Sequence, residues 1–430
     1  MACTKRTSMR FSRFLLLALA LVAASCSKEE PKTSGAGQPT TIVFKHSKLF
    51  GDPQGFDALI KHFEELHPGI RVRTEALPAS SDEQHQFYVI NLRAASADFD
   101  VMALDVVWVA EFARAGWLSD LTEIFSPADR KTFFSGPIAA VLYQGRAYAV
   151  PWFIDAGLLY YRKDLLAKYN FETPETWEAL SKIAAAVRQR EPGMYGFVWQ
   201  GRQYEGLVCN ALEYLWSAGG DVLRDGRVVL NSPENRRALT FMRALVHDGG
   251  VSPELVATAT EEPSRRIFGS GKAVFLRNWP YAWTLFQESD SPVKGKVGIT
   301  VLPHFSGHDS AATLGGWQLG VNHYSRHPRE AAEFVEFMTS AEAQKALALA
   351  YGLNPSRRAL YDDPDLRANQ PHMAQLRAIF DHARPRPVTP YYVRVSQVLQ
   401  SEFSAVVAGL KSPADALQSA QQQVEAILEQ

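Results

Sequence analysis

The 430-residue sequence has few cysteines, no excess of either charge and only one long apolar run. Three cysteines, two of which precede any foldable pattern, exclude a disulfide framework. Basic and acidic residues number 45 and 46, and no basic run lies beyond the N-terminus, so we expect no nucleic-acid partner. With 46% hydrophobic and 21% charged residues, the chain has the composition of a globular protein and the length of two or three domains.

The sequence also lacks the motifs of common catalytic and metal sites. Its 11 histidines are scattered, and neither HExxH nor CxxC occurs. No G-x-S-x-G motif is present, and Cys209 lies in an apolar helical pattern that predicts a buried, inert thiol. We therefore expect no metal, no cofactor and no enzymatic activity.

The one long apolar run, residues 14–24, follows four basic residues and no acidic residue. About 11 apolar residues are too few to span a bilayer core of ~30 Å, so this pattern predicts a secretion signal. Small residues lead into Cys26 in an order that resembles a bacterial lipobox, where the signal is cut before a cysteine that carries diacylglycerol. We predict a lipoprotein signal peptide over residues 1–25 and membrane attachment through Cys26. A plain signal peptide cut near Ala24 is the alternative.

Residues 26–40 are rich in Ser, Thr, Gly, Pro and charge, and have no apolar periodicity. This composition predicts a flexible linker. No later segment approaches 18 consecutive apolar residues, so we predict no transmembrane helix.

Short apolar segments alternate with helical patterns beyond residue 41, in the order strand, helix, strand, helix, strand. The predicted strands are 42–44, 70–74 and 100–104, and the predicted helices are 56–67 and 82–95. This order favours an α/β fold with a mainly parallel sheet. Asp105 follows the third strand, at the carboxyl end, where open α/β sheets bind their ligands.

The pattern changes near residue 147, where residues 147–151 predict a strand closed by Pro151 and an aromatic stretch, 152–155, follows. Further helices are predicted at 162–169, 176–190, 203–217 and 232–248, strands at 273–276, 297–301 and 317–321, a hairpin at Asp225-Gly226 and a largely helical tail from 328. We predict one lobe over 41–150, to which about 308–355 returns. The second lobe is predicted over 151–307, with about 356–430 as a helical C-terminal part.

Aromatic residues stand beside isolated carboxylates and glycines in several places. These are Asp105 to Trp108, Trp152 to Asp155, Arg277 to Trp283 and Gly315 to Trp317. A neutral sugar requires this mixture: carboxylates accept hydrogen bonds from its hydroxyls, aromatic rings cover its C–H faces, and glycines let the backbone approach. The same aromatic residues are also compatible with a hydrophobic core.

Longer segments of the sequence resemble the extracellular solute-binding proteins of bacterial ABC importers, in the carbohydrate group that includes the maltose-binding and trehalose/maltose-binding proteins. The matching segments are 151–169, 172–180, 196–220, 277–283, 291–317 and 384–392. The resemblance implies an α/β, two-lobed periplasmic-binding-protein fold of type II, maltose-binding-protein-like, with a hinge and a ligand cleft between the lobes. It also implies a monomer outside the cytoplasm, in the periplasm or at the cell surface, that binds a disaccharide such as trehalose or maltose with high affinity and delivers it to the membrane subunits of an importer.

Matched by position, eight residues acquire ligand-binding roles from this resemblance. Asp105 and Asp155 would bind hydroxyls, Phe153 would flank the sugar ring, Trp279 and Trp317 would stack on it, Gly316 would offer backbone groups, and Arg386 and Gln54 would add polar contacts. Gln54, Ala79 and Gln84 stand where we expect Glu, Thr and Arg in the family, which leaves the exact sugar open. A secreted glycoside hydrolase and a binding protein for a non-sugar solute, such as glycerol phosphate or a peptide, are the alternatives.

Overall fold

The strands and helices of the protein are known from a computed structural model that describes residues 38–49 and 53–429. The predicted signal peptide, Cys26 and most of the predicted linker lie outside the described residues. The strands, in chain order, are β1 (Thr40–Ser47), β2 (Ile70–Leu77), β3 (Val101–Asp105), β4 (Leu142–Tyr143), β5 (Arg146–Ala147), β6 (Val150–Ala156), β7 (Leu158–Arg162), β8 (Tyr195–Val198), β9 (Leu223–Arg224), β10 (Arg227–Val228), β11 (Ala273–Asn278), β12 (Val297–Thr300), β13 (Ala312–Val321) and β14 (Ala383–Arg384).

Helices cover both sheets and form most of the C-terminal part. In chain order they are α1 (Gln54–Leu66), α2 (Ser81–Arg93), α3 (Val109–Arg114), α4 (Pro127–Arg130), α5 (Ser135–Val141), α6 (Lys163–Lys168), α7 (Trp177–Arg190), α8 (Glu205–Ser217), α9 (Pro233–His247), α10 (Glu261–Gly269), α11 (Ala282–Phe286), α12 (Pro328–Met338), α13 (Ala341–Tyr351), α14 (Pro364–Asn369), α15 (Met373–Asp381), α16 (Tyr392–Val407) and α17 (Pro413–Leu428). Short 3-10 helices cover Glu254–Thr258 and Arg358–Asp362. None of the described helices is long and apolar enough to cross a membrane.

Two sheets organise the described chain. The first has the strand order β14-β13-β3-β1-β2, with β6 paired to β13, and the second has the order β12-β7-β11-β8. In the first sheet β1 runs parallel to both β2 and β3, whereas β13 runs antiparallel to β3 and β6. The predicted α/β class and two-lobed architecture are confirmed.

Each lobe has its own hydrophobic core. In the first, α1 buries Phe56, Leu59, Ile60 and Phe63, the spacing of an amphipathic helix. In the second, all 13 residues of α8 are buried, so this helix runs through the core rather than along the surface. Thr176 caps the N-terminus of α7: its Oγ1 accepts a hydrogen bond from the Ala179 N–H at 3.1 Å. The Asp225-Gly226 hairpin is confirmed by the pairing of β9 with β10.

One sequence prediction about the strands is wrong. Pro151 does not close a strand: β6 runs from Val150 through the aromatic stretch to Ala156. Proline removes a ladder donor, but the pairing of β6 with β13 shifts register between Trp317 and Gln318, and Gln318 is the residue opposite Pro151. Such a bulge tolerates proline. β6 pairs within the first sheet, whereas Ile154 and Ala156 pack in the core of the second lobe, so the lobe boundaries stay predictions.

Candidate ligand-binding cleft

A cleft of about 420 Å³ lies where residues of both lobes meet, within the range of about 300–1,000 Å³ usual for small-molecule sites. The first sheet contributes the ends of β3 and β6 and the middle of β13, and the second lobe contributes the starts of α8 and α10 and the residues after β11. Seven of the eight predicted contact residues line this cleft: Asp105, Phe153, Asp155, Trp279, Gly316, Trp317 and Arg386.

Gln54 is the predicted contact residue that does not line the cleft. It is exposed at the start of α1. The family resemblance placed Gln54 near the ligand, and because it is absent from the described lining of the cleft we leave it out of the proposed contacts. Of the other two positions where the sequence departs from the family, Ala79 lines the cleft. Gln84 is buried outside it, where its amide donates to the Pro78 carbonyl at 2.6 Å.

Trp279 follows β11 and is fixed on several sides. Its backbone N–H donates to Asn278 Oδ1 at 2.8 Å, and its indole nitrogen lies 3.5 Å from Glu261 Oε1. The Arg277 guanidinium carbon lies 4.2 Å from the ring centre. A Cβ at Gly315 would lie 2.9 Å from the indole, so this glycine is required for the close approach of β13 to the ring.

Trp317 lies on β13 directly opposite Asp105 and Phe153 in the two neighbouring strands. Its ring packs edge-on against Trp108, with centroids 5.7 Å apart. Trp317 and Trp279 are each partly exposed toward the cleft, whereas Trp152, Trp177 and Trp199 are fully buried. Partial exposure next to a cavity is the arrangement expected of a stacking surface rather than of a core residue.

Gly316 lies between Gly315 and Trp317 and has a φ of 105°, a backbone conformation that residues with side chains rarely adopt. A Cβ here would lie 2.3 Å from the Phe153 carbonyl oxygen in β6. The glycine is therefore required by the approach of the two strands, independently of any backbone group it offers to a ligand.

Asp155, at the end of β6, has no cation within ion-pair distance among the described residues. Asn354 donates its side-chain N–H to Asp155 Oδ1 at 3.0 Å. Burial raises the pKa of Asp155 to about 7, and the hydrogen bond from Asn354 opposes that rise. With a pKa of about 7, the carboxyl is partly protonated at neutral pH.

Asp105 and Arg386 form an ion pair in the cleft. Arg386 Nη2 donates to Asp105 Oδ1 at 2.7 Å, and Nη1 donates to Glu205 Oε1 at 2.6 Å. The Tyr392 hydroxyl also donates to Glu205 Oε1 at 2.6 Å. Arg386 is 3% exposed, and its Nε is the guanidinium nitrogen without a protein partner among the described residues. Both terminal nitrogens are therefore committed to carboxylates, which favours a role in holding Asp105 and Glu205 in position.

Acidic groups dominate the lining. Among the described lining residues, six carry carboxylates and three carry cationic groups: Glu83, Asp105, Asp155, Glu205, Glu261 and Glu262 against Lys48, Arg202 and Arg386. Just outside this set, burial and the nearby charges of Glu205 and Asp105 raise the pKa of Asp82 to about 6. The net charge of the lining is negative.

Among the other lining residues, four received no individual role from the sequence: Tyr204, Glu205, Glu261 and Tyr281. Three of them lie inside the family-like segments 196–220 and 277–283, so those segments carried a usable signal. Glu261 had no such signal, because one acidic residue at a helix start is common. In the described part of the chain, no cluster of three His, Cys, Asp or Glu side chains is placed to hold a metal ion. Cys209 is buried, and burial raises the pKa of its thiol.

An α/β protein with two lobes and a ligand-sized cleft lined by residues of both has the architecture of a solute-binding protein. Residues 48–345 match the family model described as bacterial extracellular solute-binding protein, and the chain belongs to this family. A probable ABC transporter-binding protein of Deinococcus radiodurans is 37% identical over 386 residues, covering 87% of this chain and 91% of that protein.

Two solved structures extend the similarity. The maltose-bound MalE3 protein of T. maritima is 43% identical, with a TM-score of 0.86, and the match covers 90% of this chain and 99% of that one. The GacH receptor of Streptomyces glaucescens, solved unliganded and with acarbose, is 26% identical with a TM-score of 0.82, over 91% and 99% of the two chains. The protein is thus similar to solute-binding proteins of ABC transporters that act outside the cytoplasm.

Proposed function

We propose that this protein binds a neutral disaccharide or short oligosaccharide, such as maltose or trehalose, and delivers it to the membrane subunits of an ABC importer. One observation carries the sugar assignment: Trp279 from one lobe and Trp317 from the other are partly exposed on the same cleft, with carboxylates of Asp105 and Asp155 beside them. Aromatic faces cover sugar C–H surfaces while carboxylates accept hydrogen bonds from hydroxyls. Similarity to a maltose-bound protein supports the disaccharide.

The charge of the lining favours an uncharged ligand over an anion. Two of the three cations in the described lining are Arg202, which is exposed, and Arg386, which is already bound to Asp105 and Glu205. A phosphate or carboxylate on the ligand would therefore meet net negative charge, which disfavours its binding. Glycerol phosphate is for this reason a poorer candidate than a sugar.

Calorimetric titration with maltose, trehalose, mannitol and glycerol 3-phosphate tests this proposal. We expect tight binding of at least one disaccharide and no binding of the phosphate. Trp283→Ala is a matched control, because Trp283 lies outside the cleft, stacked on His372 with centroids 4.8 Å apart. Binding of the phosphate alone, or of none of the sugars, would contradict the assignment.

A secreted glycoside hydrolase is the alternative from a different functional class. It would use two carboxyl groups across the scissile bond, one of them as a proton donor. Asp105 already accepts a hydrogen bond from Arg386 at 2.7 Å, and this geometry suits an acceptor of hydroxyl hydrogen bonds better than a proton donor. We expect labelled maltose to be recovered intact after long incubation. Release of glucose that is abolished by Asp155→Asn would establish the hydrolase instead.

The predicted lipid on Cys26 would attach this binding protein to the membrane. A diacylglycerol on Cys26 and a linker of roughly 15 residues, with a reach of ~20 Å, would hold the folded part close to an importer in the membrane. The family's location outside the cytoplasm is consistent with this arrangement.

A further inference from the structure

Asn354 lies directly behind Asp155 and is not part of the cleft lining. It follows α13, is 2% exposed, and places its side-chain N–H 3.0 Å from Asp155 Oδ1. Oδ1 therefore has one lone pair occupied by the protein, and Oδ2 carries no hydrogen bond from a side chain of the described residues.

The backbone around Asn354 is bound to β6 at successive residues. The Asn354 carbonyl accepts from the Ile154 N–H at 2.9 Å, and Pro355 forms a β-bridge with Phe153. The Ser356 hydroxyl donates to the Pro151 carbonyl at 2.9 Å. These contacts give the Asn354 amide a fixed position relative to the strand that carries Asp155.

Burial of the ionised Asp155 carboxylate costs free energy, and the hydrogen bond from the Asn354 amide offsets part of that cost. An ionised carboxylate accepts hydrogen bonds at both oxygens, but burial without a cation favours the protonated form, in which one oxygen becomes a donor. A hydrogen bond from a neutral, fixed donor stabilises the ionised form and also sets the rotation of the carboxylate plane.

We propose that Asn354 is a positioning residue for the sugar site: its amide orients the Asp155 carboxylate and favours its ionised form, and so shifts the pH range over which ligand is held. This inference rests on the proposed function, since it assigns ligand hydroxyls to Asp155. It makes Asn354, 199 positions from Asp155 in sequence, a determinant of affinity that does not touch the ligand.

Two described carboxyls of this region have pKa values raised toward neutrality: Asp155, and Asp82 beside Glu205 and Asp105. Among the described residues, the phenols of Tyr160, on β7, and Tyr361, in the 3-10 helix at 358–362, are affected by the charge of Asp155. Burial, together with the nearby carboxylate, raises the pKa of both phenols, so they stay neutral between pH 5 and pH 9. On the facing strand, β13 presents Gly315 opposite Asp155 and brings no charge.

Asn354→Leu tests the proposal with maltose as the probe, titrated by calorimetry from pH 5 to pH 9. If loss of the donor raises the Asp155 pKa from about 7 by about one unit, the ionised fraction at pH 7 falls from about a half to about a tenth. We therefore expect affinity at least about fivefold weaker at pH 7, a smaller difference at pH 9, and a pH midpoint about one unit higher. In an Asp155→Asn background, Asn354→Leu should have little further effect, because its action passes through Asp155.

A ligand-free measurement separates this proposal from the proposed function. Carbon-13 NMR of labelled aspartate side chains, with Asp155→Asn as the assignment control, should show the Asp155 titration moving upward in Asn354→Leu. If the wild type bound none of the sugars, the proposed function would be wrong, but the NMR titration of Asp155 would still show whether Asn354 affects its pKa. An unchanged titration and an unchanged pH profile of maltose affinity in folded Asn354→Leu would overturn the proposal.

Asn354→Asp is the second variant, and it keeps the shape of the side chain if the leucine protein does not fold. It places two carboxyl groups about 3 Å apart, which share one proton. We expect two coupled carboxyl titrations in place of one, and maltose affinity that falls at pH values above the second titration, where both carboxyls are ionised and no donor to Asp155 remains. Affinity that stays at the wild-type level above the second titration would also contradict the proposal.

Discussion

The Arg277 guanidinium lies under the Trp279 indole, 4.2 Å from the ring centre, and thereby links a buried ion pair to the surface of the cleft. Arg277 is fully buried and binds the Glu213 carboxylate through two nitrogens, with Nε to Oε2 at 2.9 Å. Glu213 also accepts from the Thr313 N–H at 3.1 Å, so the pair joins α8, β11 and β13. The position of Trp279 thus depends on charges that do not reach the ligand.

Breaking this pair should destabilise the fold strongly. Arg277→Met leaves Glu213 buried without its cation, which we expect to reduce the free energy of unfolding by about 3–5 kcal/mol in urea denaturation. Arg277→Met combined with Glu213→Leu removes both charges and should recover most of that loss. Equal instability of the single and double variants would show that charge is not the cause.

Trp317→Ala should weaken sugar binding more than it weakens the fold. We expect a loss of about 2 kcal/mol or more in binding, which is at least tenfold in affinity, because a large stacking surface is removed. Trp152→Ala is the contrasting variant, since Trp152 is buried in the core and its truncation should cost about 3–5 kcal/mol of stability. Calorimetry and melting temperature measure the two effects. A Trp317→Ala protein with a much lower melting temperature and normal sugar affinity would show that Trp317 is a core residue rather than a ligand contact.

The raised pKa of Asp155 predicts how stability depends on pH. Its folded pKa of about 7 lies above the ordinary 3.8, so the folded protein binds more protons than the unfolded chain between these values. The stabilisation from this proton is present below about pH 4 and is lost as pH rises through 7. Asp155→Asn lacks this dependence, so its unfolding free energy relative to wild type should increase from pH 5 to pH 8 in urea titrations. Asp309→Asn, at an exposed loop position, is the control for loss of a surface carboxylate.

Ligand binding should close the cleft. A sugar that contacts Trp317 in one lobe and Trp279 in the other favours the closed arrangement by its differential affinity, and hinge closure is the expected response. Small-angle scattering should show a smaller radius of gyration with saturating maltose. At a sugar concentration only a few-fold above the wild-type Kd, the Trp317→Ala protein should compact less than the wild type, because its affinity is expected to be at least about tenfold weaker. No compaction of the wild type would count against closure.

Membrane attachment should depend on Cys26. We expect the wild type, expressed in a bacterial host, to incorporate labelled fatty acid, and Cys26→Ala to yield unlabelled protein that is either released or left as a precursor. Cys209→Ala is the matched control and should keep the label, because Cys209 is buried within α8. Absence of label from the wild type would leave the plain signal peptide as the better interpretation.

Local features were readable from the sequence. The cap at Thr176 and the turn at Asp225-Gly226 depend on a few adjacent dihedral angles and one side chain, so their residues suffice to predict them. The strand that ends at Asp105 was visible as an apolar run, and β3 ends there. Of the seven predicted contact residues that line the cleft, six lie in the family-like segments, and the seventh, Asp105, stands at the end of β3.

Long-range features were decided by the tertiary structure alone. Pro151 lies inside β6 because the pairing of β6 with β13, more than 150 residues away, shifts register beside it: Phe153 and Pro151 face the consecutive residues Trp317 and Gln318. Arg386 reaches Asp105 across 281 positions, and Asn354 reaches Asp155 across 199. Whether a carboxylate has a partner, and therefore how it ionises, depends on burial and on groups brought together by folding. The sequence determined which residues could bind a sugar, and the fold determined which of them were free to do so, because hydrogen-bond partners and solvent exposure exist only after the two lobes have formed.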